Sequence, residues 1–256
     1  MKKIITVENI DQVFSDQSSL DSLKSSILND DIVIVRDVIS QKLIQEIKGY
    51  LTQVGKSSFP NYERIKFGAK DFHRINNNDP RAYVKGAFHQ FVFYPWNQNY
   101  FDLFNQFSKA YQLKNILSGI EPDAFMFPTK EDDFTARIAF QFYPKGIGYL
   151  NNHADPVDQH QIAVPILVMS EKGIDFNEGG AYVKYEDEKV FIEDHTEIGD
   201  VVFFKASLEH GVDKVDVQSD AAWLDFKGRW MGLLAVNQFF NTNVISESVE
   251  LKQKKI

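Results

Sequence analysis

His153 and Asp155 stand two residues apart in the run Asn151-Asn152-His153-Ala154-Asp155-Pro156. On an extended strand, residues i and i+2 project from the same face, so an imidazole and a carboxylate at this spacing can converge on one point. His210 lies 57 residues further on, directly after the apolar run Val201-Val202-Phe203-Phe204, where it can turn back toward that point. Two imidazoles and one carboxylate form a nitrogen and oxygen donor set for a divalent metal. The sequence has no cysteine, so disulfides and thiolate ligands are both excluded, and iron, manganese or zinc held by His, Asp or Glu is the chemistry left.

A structural zinc site closes on four ligands. Three ligands with no fourth leave positions open on the metal, which is the facial arrangement of two histidines and one carboxylate used by non-haem Fe(II) oxygenases. Gly228-Arg229-Trp230-Met231-Gly232-Leu233-Leu234 sets one arginine at the head of an otherwise apolar strand. An unpaired buried guanidinium is costly, so Arg229 needs an anionic partner. Either a protein carboxylate or a ligand carboxylate gripped by the planar fork meets that need.

The elements that must position these groups read as follows. Ser18 to Leu28 carries Leu20, Leu23 and Ile27 at helical spacing, and Asp31 to Arg36 is a β-branched run suited to a buried strand. A second helix begins with Ser40 as its N-cap, bears the stripe Leu43, Ile44, Ile47, Leu51 and Val54, and stops at Gly55. From Ser57 to Asn99 the periodicity fades, which predicts a long irregular region that could line a substrate pocket. Tyr100 to Leu117 restores a helix. Beyond Pro128 strands and turns take over: Arg137 to Tyr143, Ile162 to Met169, Gly179 to Val183, Lys189 to Ile192, Val201 to Phe204 and Arg229 to Val236. Strands without interleaved helices predict a mainly β sandwich or barrel with helical support. Glu250 to Ile256 reads as a charged, frayed tail, and His160 and His195 read as solvated turn residues.

Composition bounds the rest. The 256 residues, 43% of them hydrophobic with 22 Phe, can bury a large core, and a single domain over 1–256 is the simplest division, with helical support and a substrate-loop region in 1–128, the β core in 129–240 and a tail in 241–256. A net charge of -8 without a Lys/Arg cluster argues against a nucleic-acid partner. Behind Met1-Lys2-Lys3 the apolar stretch ends at Val7, too short for a signal or a membrane span, so a cytoplasmic protein with no membrane partner is expected.

Tyr143-Pro144, Gly148-Tyr149, His153-x-Asp155, Gly179-Gly180, Gly199-Asp200, His210-Gly211-Val212 and Gly228-Arg229 occur in an order that resembles Fe(II)/2-oxoglutarate-dependent dioxygenases, in particular the prolyl-hydroxylase-like or a related small-molecule hydroxylase branch. The resemblance covers Arg137 to Val236, with further likeness in the strand and helix from Ile32 to Val54. It implies a double-stranded β-helix, a cupin-like jelly-roll barrel with the metal at its open mouth. It also implies Fe(II), 2-oxoglutarate and O₂ as cofactor and cosubstrates, with His153, Asp155 and His210 as the catalytic iron ligands. Arg229 would take the distal carboxylate of 2-oxoglutarate, and Tyr143, ten residues before His153, would touch the same cosubstrate. Arg229 follows His210 by 19 residues, further than the branch pattern has it, which makes 217–226 an inserted loop. Related halogenases lack the carboxylate ligand, so Asp155 argues for hydroxylation, although desaturation or ring closure would use the same triad.

For the substrate, Arg74, His73, Asn76 and Asn77 offer donors to a carboxylate or amide, and His89, Phe91, Phe93 and Trp96 offer an apolar wall. A small polar molecule such as a free amino acid is expected. A peptide or protein hydroxylase of the same chemistry and a non-oxygenase cupin-type metal-binding barrel stand as alternatives, and a nucleic-acid demethylase is disfavoured by the acidic balance.

Overall fold

The computed structural model of the protein describes residues 3–157, 160–240 and 249–250. The chain opens with β1 (Ile4–Val7), α1 (Ile10–Ser15), α2 (Gln17–Leu28), β2 (Ile32–Val35) and α3 (Gln41–Ser57). Two strands, β3 (Phe72–Asn77) and β4 (Gly86–Phe93), and two short helices, α4 (Leu103–Gln106) and α5 (Ser108–Leu117), come next. The remainder is strand: β5 (Phe134–Pro144), β6 (Tyr149–Ala154), β7 (Ala163–Val168), β8 (Gly180–Tyr185), β9 (Glu188–Phe191), β10 (Val201–Lys205), β11 (Glu209–Asp213), β12 (Gly228–Gln238) and β13 (Val249–Glu250).

Two antiparallel four-stranded halves form the barrel, β10-β7-β12-β5 and β6-β11-β8-β9, and β4 joins them by pairing with β5 along one stretch and with β6 along another. This is the double-stranded β-helix. Its halves close on each other through one apolar cluster that includes Val164, Ile166 and Met231 from one and Ala181, Val183 and Val212 from the other. Helical support packs on the outer face of the first half, where Ile27, Ile44 and Leu51 meet Phe140, Leu167 and Phe203. No helix among the described residues is long and apolar enough to cross a membrane.

Ser40 caps α3 as expected, its hydroxyl accepting from the Leu43 N–H. Gly55 does not end that helix, which runs on to Ser57; the ring of Phe226 fills the place where a Cβ of Gly55 would stand. The irregular region expected over 57–99 holds two strands. All eight residues of β4 are buried, so helix-covered and cavity-facing side chains alternate without any alternation of polarity for a sequence reading to detect. The helix expected over 100–117 is broken into α4 and α5 at Phe107, and β11, five residues long and carrying His210-Gly211, was not expected as a strand. The tail expected over 241–256 lies outside the described residues apart from 249–250, which form β13.

Candidate metal centre

β6 and β11 are neighbours in register, with His153 directly opposite His210 and a register shift just beyond. Asp155 is the first residue past β6, and its backbone N–H donates to the Ala206 carbonyl at 2.9 Å, fixing where its side chain starts. The three side chains meet as the spacing predicts. His153 Nε2 lies 3.8 Å from Asp155 Oδ1, and His210 Nε2 lies 3.7 Å from Asp155 Oδ2. Two ligands each ~2.1 Å from one metal can be no more than ~4.2 Å apart, so both separations fit a shared ion.

Both rings are oriented by the same device. His153 Nδ1 is 2.9 Å from the Asn151 carbonyl and His210 Nδ1 is 2.9 Å from the Leu208 carbonyl. A carbonyl only accepts, so each Nδ1 carries the hydrogen and each Nε2 presents a lone pair to the common point. Burial, then the neighbouring His210, push the His153 imidazole down to about 4 against the opposing pull of Asp155. A neutral ring is the form that ligates. Donor types, separations and tautomers all fit a divalent cation with open positions.

The triad lines one side of a cavity of about 430 Å³. Facing it from β3, β4, β5 and β12 is a cross-strand row in which Arg74 pairs with Gln90, Gln90 with Gln141 and Gln141 with Met231. Gln90 is 3% exposed and its Oε1 is buried with no hydrogen-bond partner among the described residues. Gln141 is oriented by Tyr143, whose hydroxyl donates to its Oε1, which leaves the amide N–H groups for the cavity.

Of the expected site residues, Arg74 and Asn76 do line this cavity. Asn76 is buried, its Oδ1 accepting from the Asp79 N–H at 3.0 Å. His73 and His89 project from the opposite faces of β3 and β4 and bond to each other at 2.9 Å beneath the helices. Phe91 and Phe93 share that outer side. The apolar wall assigned to His89, Phe91 and Phe93 is thus on the wrong face, because in a strand buried on both sides polarity does not say which parity faces in. Trp96 is held elsewhere, donating to the Ala69 carbonyl at 2.7 Å and stacking on Tyr94. His195 is exposed as expected, but His160 is 8% exposed and packs 4.2 Å from the Phe134 ring.

Arg229 has the anionic partner its burial requires, and that partner is a protein carboxylate. Its Nε donates to Glu193 Oε1, and the other Glu193 oxygen accepts from the Ala181 N–H at 2.9 Å. Arg229 is 1% exposed and is not among the residues lining the cavity, although Met231, two positions along the same face, is. Its Nη1 is buried without a partner among the described residues. Tyr143 is fully buried below Gln141, with the Arg229 guanidinium 5.5 Å from its ring centre, so its contact with the cavity runs through Gln141. Residues 214–227, which include the stretch 217–226, connect β11 to β12.

Gln141 and Arg137 were missed in the sequence, whereas Gln90 fell within the stretch expected to line a pocket. Arg137, Gln141 and Tyr143 share one parity on β5, and that period of two was the available signal.

No family model and no curated protein matches the sequence. Solved structures do. A prolyl-4-hydroxylase from Pseudomonas putida is 14% identical with a TM-score of 0.52, over 86% of this chain and 98% of that one. A putative oxygenase from Shewanella oneidensis is 14% identical with a TM-score of 0.52, over 91% and 89%. A full-length Neurospora crassa protein solved in complex with alpha-KG is 12% identical with a TM-score of 0.51, over 93% and 85%. At these identities the likeness is one of fold: the chain has the double-stranded β-helix that these three proteins share, as its motif order resembled.

Proposed function

We propose that the protein is an Fe(II)- and 2-oxoglutarate-dependent dioxygenase that hydroxylates an unactivated C–H bond of a small polar substrate. The observation that carries this reading is the convergence of His153 Nε2, His210 Nε2 and the Asp155 carboxylate on one wall of a cavity large enough for a metabolite. Fe(II) held there would supply oxidation by O₂, in which 2-oxoglutarate goes to succinate and CO₂ and the second oxygen atom enters the substrate C–H bond.

The chain's part is positioning. His153, Asp155 and His210 would hold the metal from one side, leaving the cavity side for the reacting molecules. Arg229 stands behind the cavity wall at Met231, held by Glu193 through Nε, and only its unpaired Nη1 would reach the distal carboxylate there. Tyr143 fixes the amide of Gln141 so that its N–H groups face the same molecule. Ile166, Phe204 and Met231 make the adjoining wall apolar, which excludes water and strengthens each polar contact.

Thermal unfolding with Mn(II), with and without 2-oxoglutarate, tests this reading. A ligand at 100 times its Kd adds about 2.7 kcal/mol to stability. Both additions should stabilise, with the 2-oxoglutarate increment dependent on metal. Stabilisation by metal alone, with none from 2-oxoglutarate, selects the cupin-type barrel instead.

A further inference from the structure

The inner face of β5 presents Tyr143, Gln141, Ala139 and Arg137 in turn, and opposite them on β12 stand Arg229, Met231, Leu233 and Ala235. Six residues of strand at ~3.3 Å each separate Tyr143 from Arg137 by ~20 Å. Arg229 and Arg137 therefore mark opposite ends of the barrel, and no five-carbon diacid touches both. A guanidinium at the Arg137 end needs a different anion.

The other arginines of the cavity are already engaged. Arg81 donates to both carboxylate oxygens of Asp79, at 3.0 and 2.7 Å. Arg64 lies 3.9 Å from the ring centre of Phe240. Arg74 sits 5.6 Å from the ring centre of Tyr62. Arg137 has no ion-pair or hydrogen-bond partner among the described residues, and its Nε is buried. Beside it, Asn237 is two positions past Ala235, the residue opposite Arg137, and so shares its face. Its Oδ1 is likewise buried and unpartnered among the described residues. A donor lacking an anion and an acceptor lacking an N–H thus stand side by side in the cavity that holds the triad. Buried groups of this kind are costly unless a ligand satisfies them.

We propose that Arg137 and Asn237 bind the head group of a free α-amino acid, its carboxylate on the Arg137 guanidinium and its ammonium on Asn237 Oδ1. The side chain then runs inward toward His153, Asp155 and His210, so oxidation falls on a side-chain carbon rather than on Cα. This inference rests on the oxygenase reading and names the substrate class for the same site.

The test uses the full chain loaded with Mn(II) and 2-oxoglutarate, and reads binding by calorimetry for the protein amino acids. For each one that binds, its α-carboxamide and its N-acetyl derivative follow. At least one amino acid is expected to bind, with a tenfold or greater loss for each derivative. Arg137→Met should lose at least tenfold and Arg137→Lys less. The proposal is overturned if no amino acid binds, if carboxamide and carboxylate bind alike, or if Arg137→Met binds as the wild type does. Should Arg137→Met not fold, the comparison of derivatives on the wild type decides. Loss of the Mn(II) and 2-oxoglutarate stabilisation itself overturns the oxygenase reading, a separate result from failure of the amino acids alone.

Discussion

Asp155 brings the one negative charge to a donor set whose other two members are neutral imidazoles. Replacing it with alanine removes both a ligand and that charge. Mn(II) affinity is then expected to fall by more than the ~10–100-fold that loss of a group hydrogen-bonded to a metal ligand costs, measured by metal titration of the folded protein; affinity within threefold of wild type would take Asp155 out of the centre. Glu193 presents a different balance. Glu193→Ala leaves the Arg229 charge buried and uncompensated, and about 3–5 kcal/mol of stability should be lost, read by urea denaturation. Glu193→Gln removes the charge but keeps one acceptor oxygen, for either the Ala181 N–H or Arg229 Nε, and should lose less; equal losses would mean that the lost charge accounts for the whole effect and the hydrogen bonds for none. The triad was legible in the sequence because i and i+2 on a strand is a geometric rule. The need of Arg229 for an anion was legible too, whereas the identity of that anion was not, since Glu193 lies 36 residues away on a separate turn.

β11 owes its place to Gly211. A Cβ there would stand 2.7 Å from the Tyr182 hydroxyl and 2.8 Å from the Leu150 carbonyl, so any side chain forces β11 away from β6 and carries His210 with it. Gly211→Ala is expected to weaken Mn(II) binding at least tenfold while the fold persists by circular dichroism; unchanged affinity would show that the strand spacing is not what sets the His210 position. On the far side of the sheet, β3 and β4 are tied to the 214–227 loop by a chain of side chains. His89 Nε2 donates to the Trp223 carbonyl at 2.9 Å, so His89 Nδ1 accepts from His73 Nε2, and His73 Nδ1 accepts from the Ser58 hydroxyl. Burial pushes both imidazoles down to about 4, with the His73 neighbour adding to the effect at His89. The unfolded chain, with histidines near ~6.5, binds more protons over this window, so stability rises with pH across it. Stability should fall as pH drops from about 6.5 toward about 4, and His89→Gln should flatten the fall; a wild-type midpoint in urea that stays constant over this range contradicts the chain. Elements with one solvated face or a clear stripe, such as α3, were legible. β4 was not, because burial on both sides erases the alternation by which a strand announces its inner face.

The barrel and its helical support share one continuous sheet, since β1 pairs with β2, β2 with β10 and β10 with β7. The apolar face of α3 also packs on the same cluster as Phe140 and Phe203. Residues 1–128 and 129–240 are therefore expected to unfold together, with coincident urea transitions by far-ultraviolet circular dichroism and by tryptophan fluorescence; two separated transitions would divide them. Strand order beyond Pro128 gave the β-rich class, and the order of motifs gave the barrel, but neither could place the cavity's inner face or its second guanidinium. The most direct test of the central claim is succinate release from 2-oxoglutarate in air with added Fe(II), comparing the wild type with His210→Ala. Succinate should form with the wild type, require Fe(II), rise when an amino acid substrate is present, and fall at least a hundredfold in the variant. Equal succinate from both proteins, or none from the wild type with Fe(II) and every amino acid supplied, would contradict it.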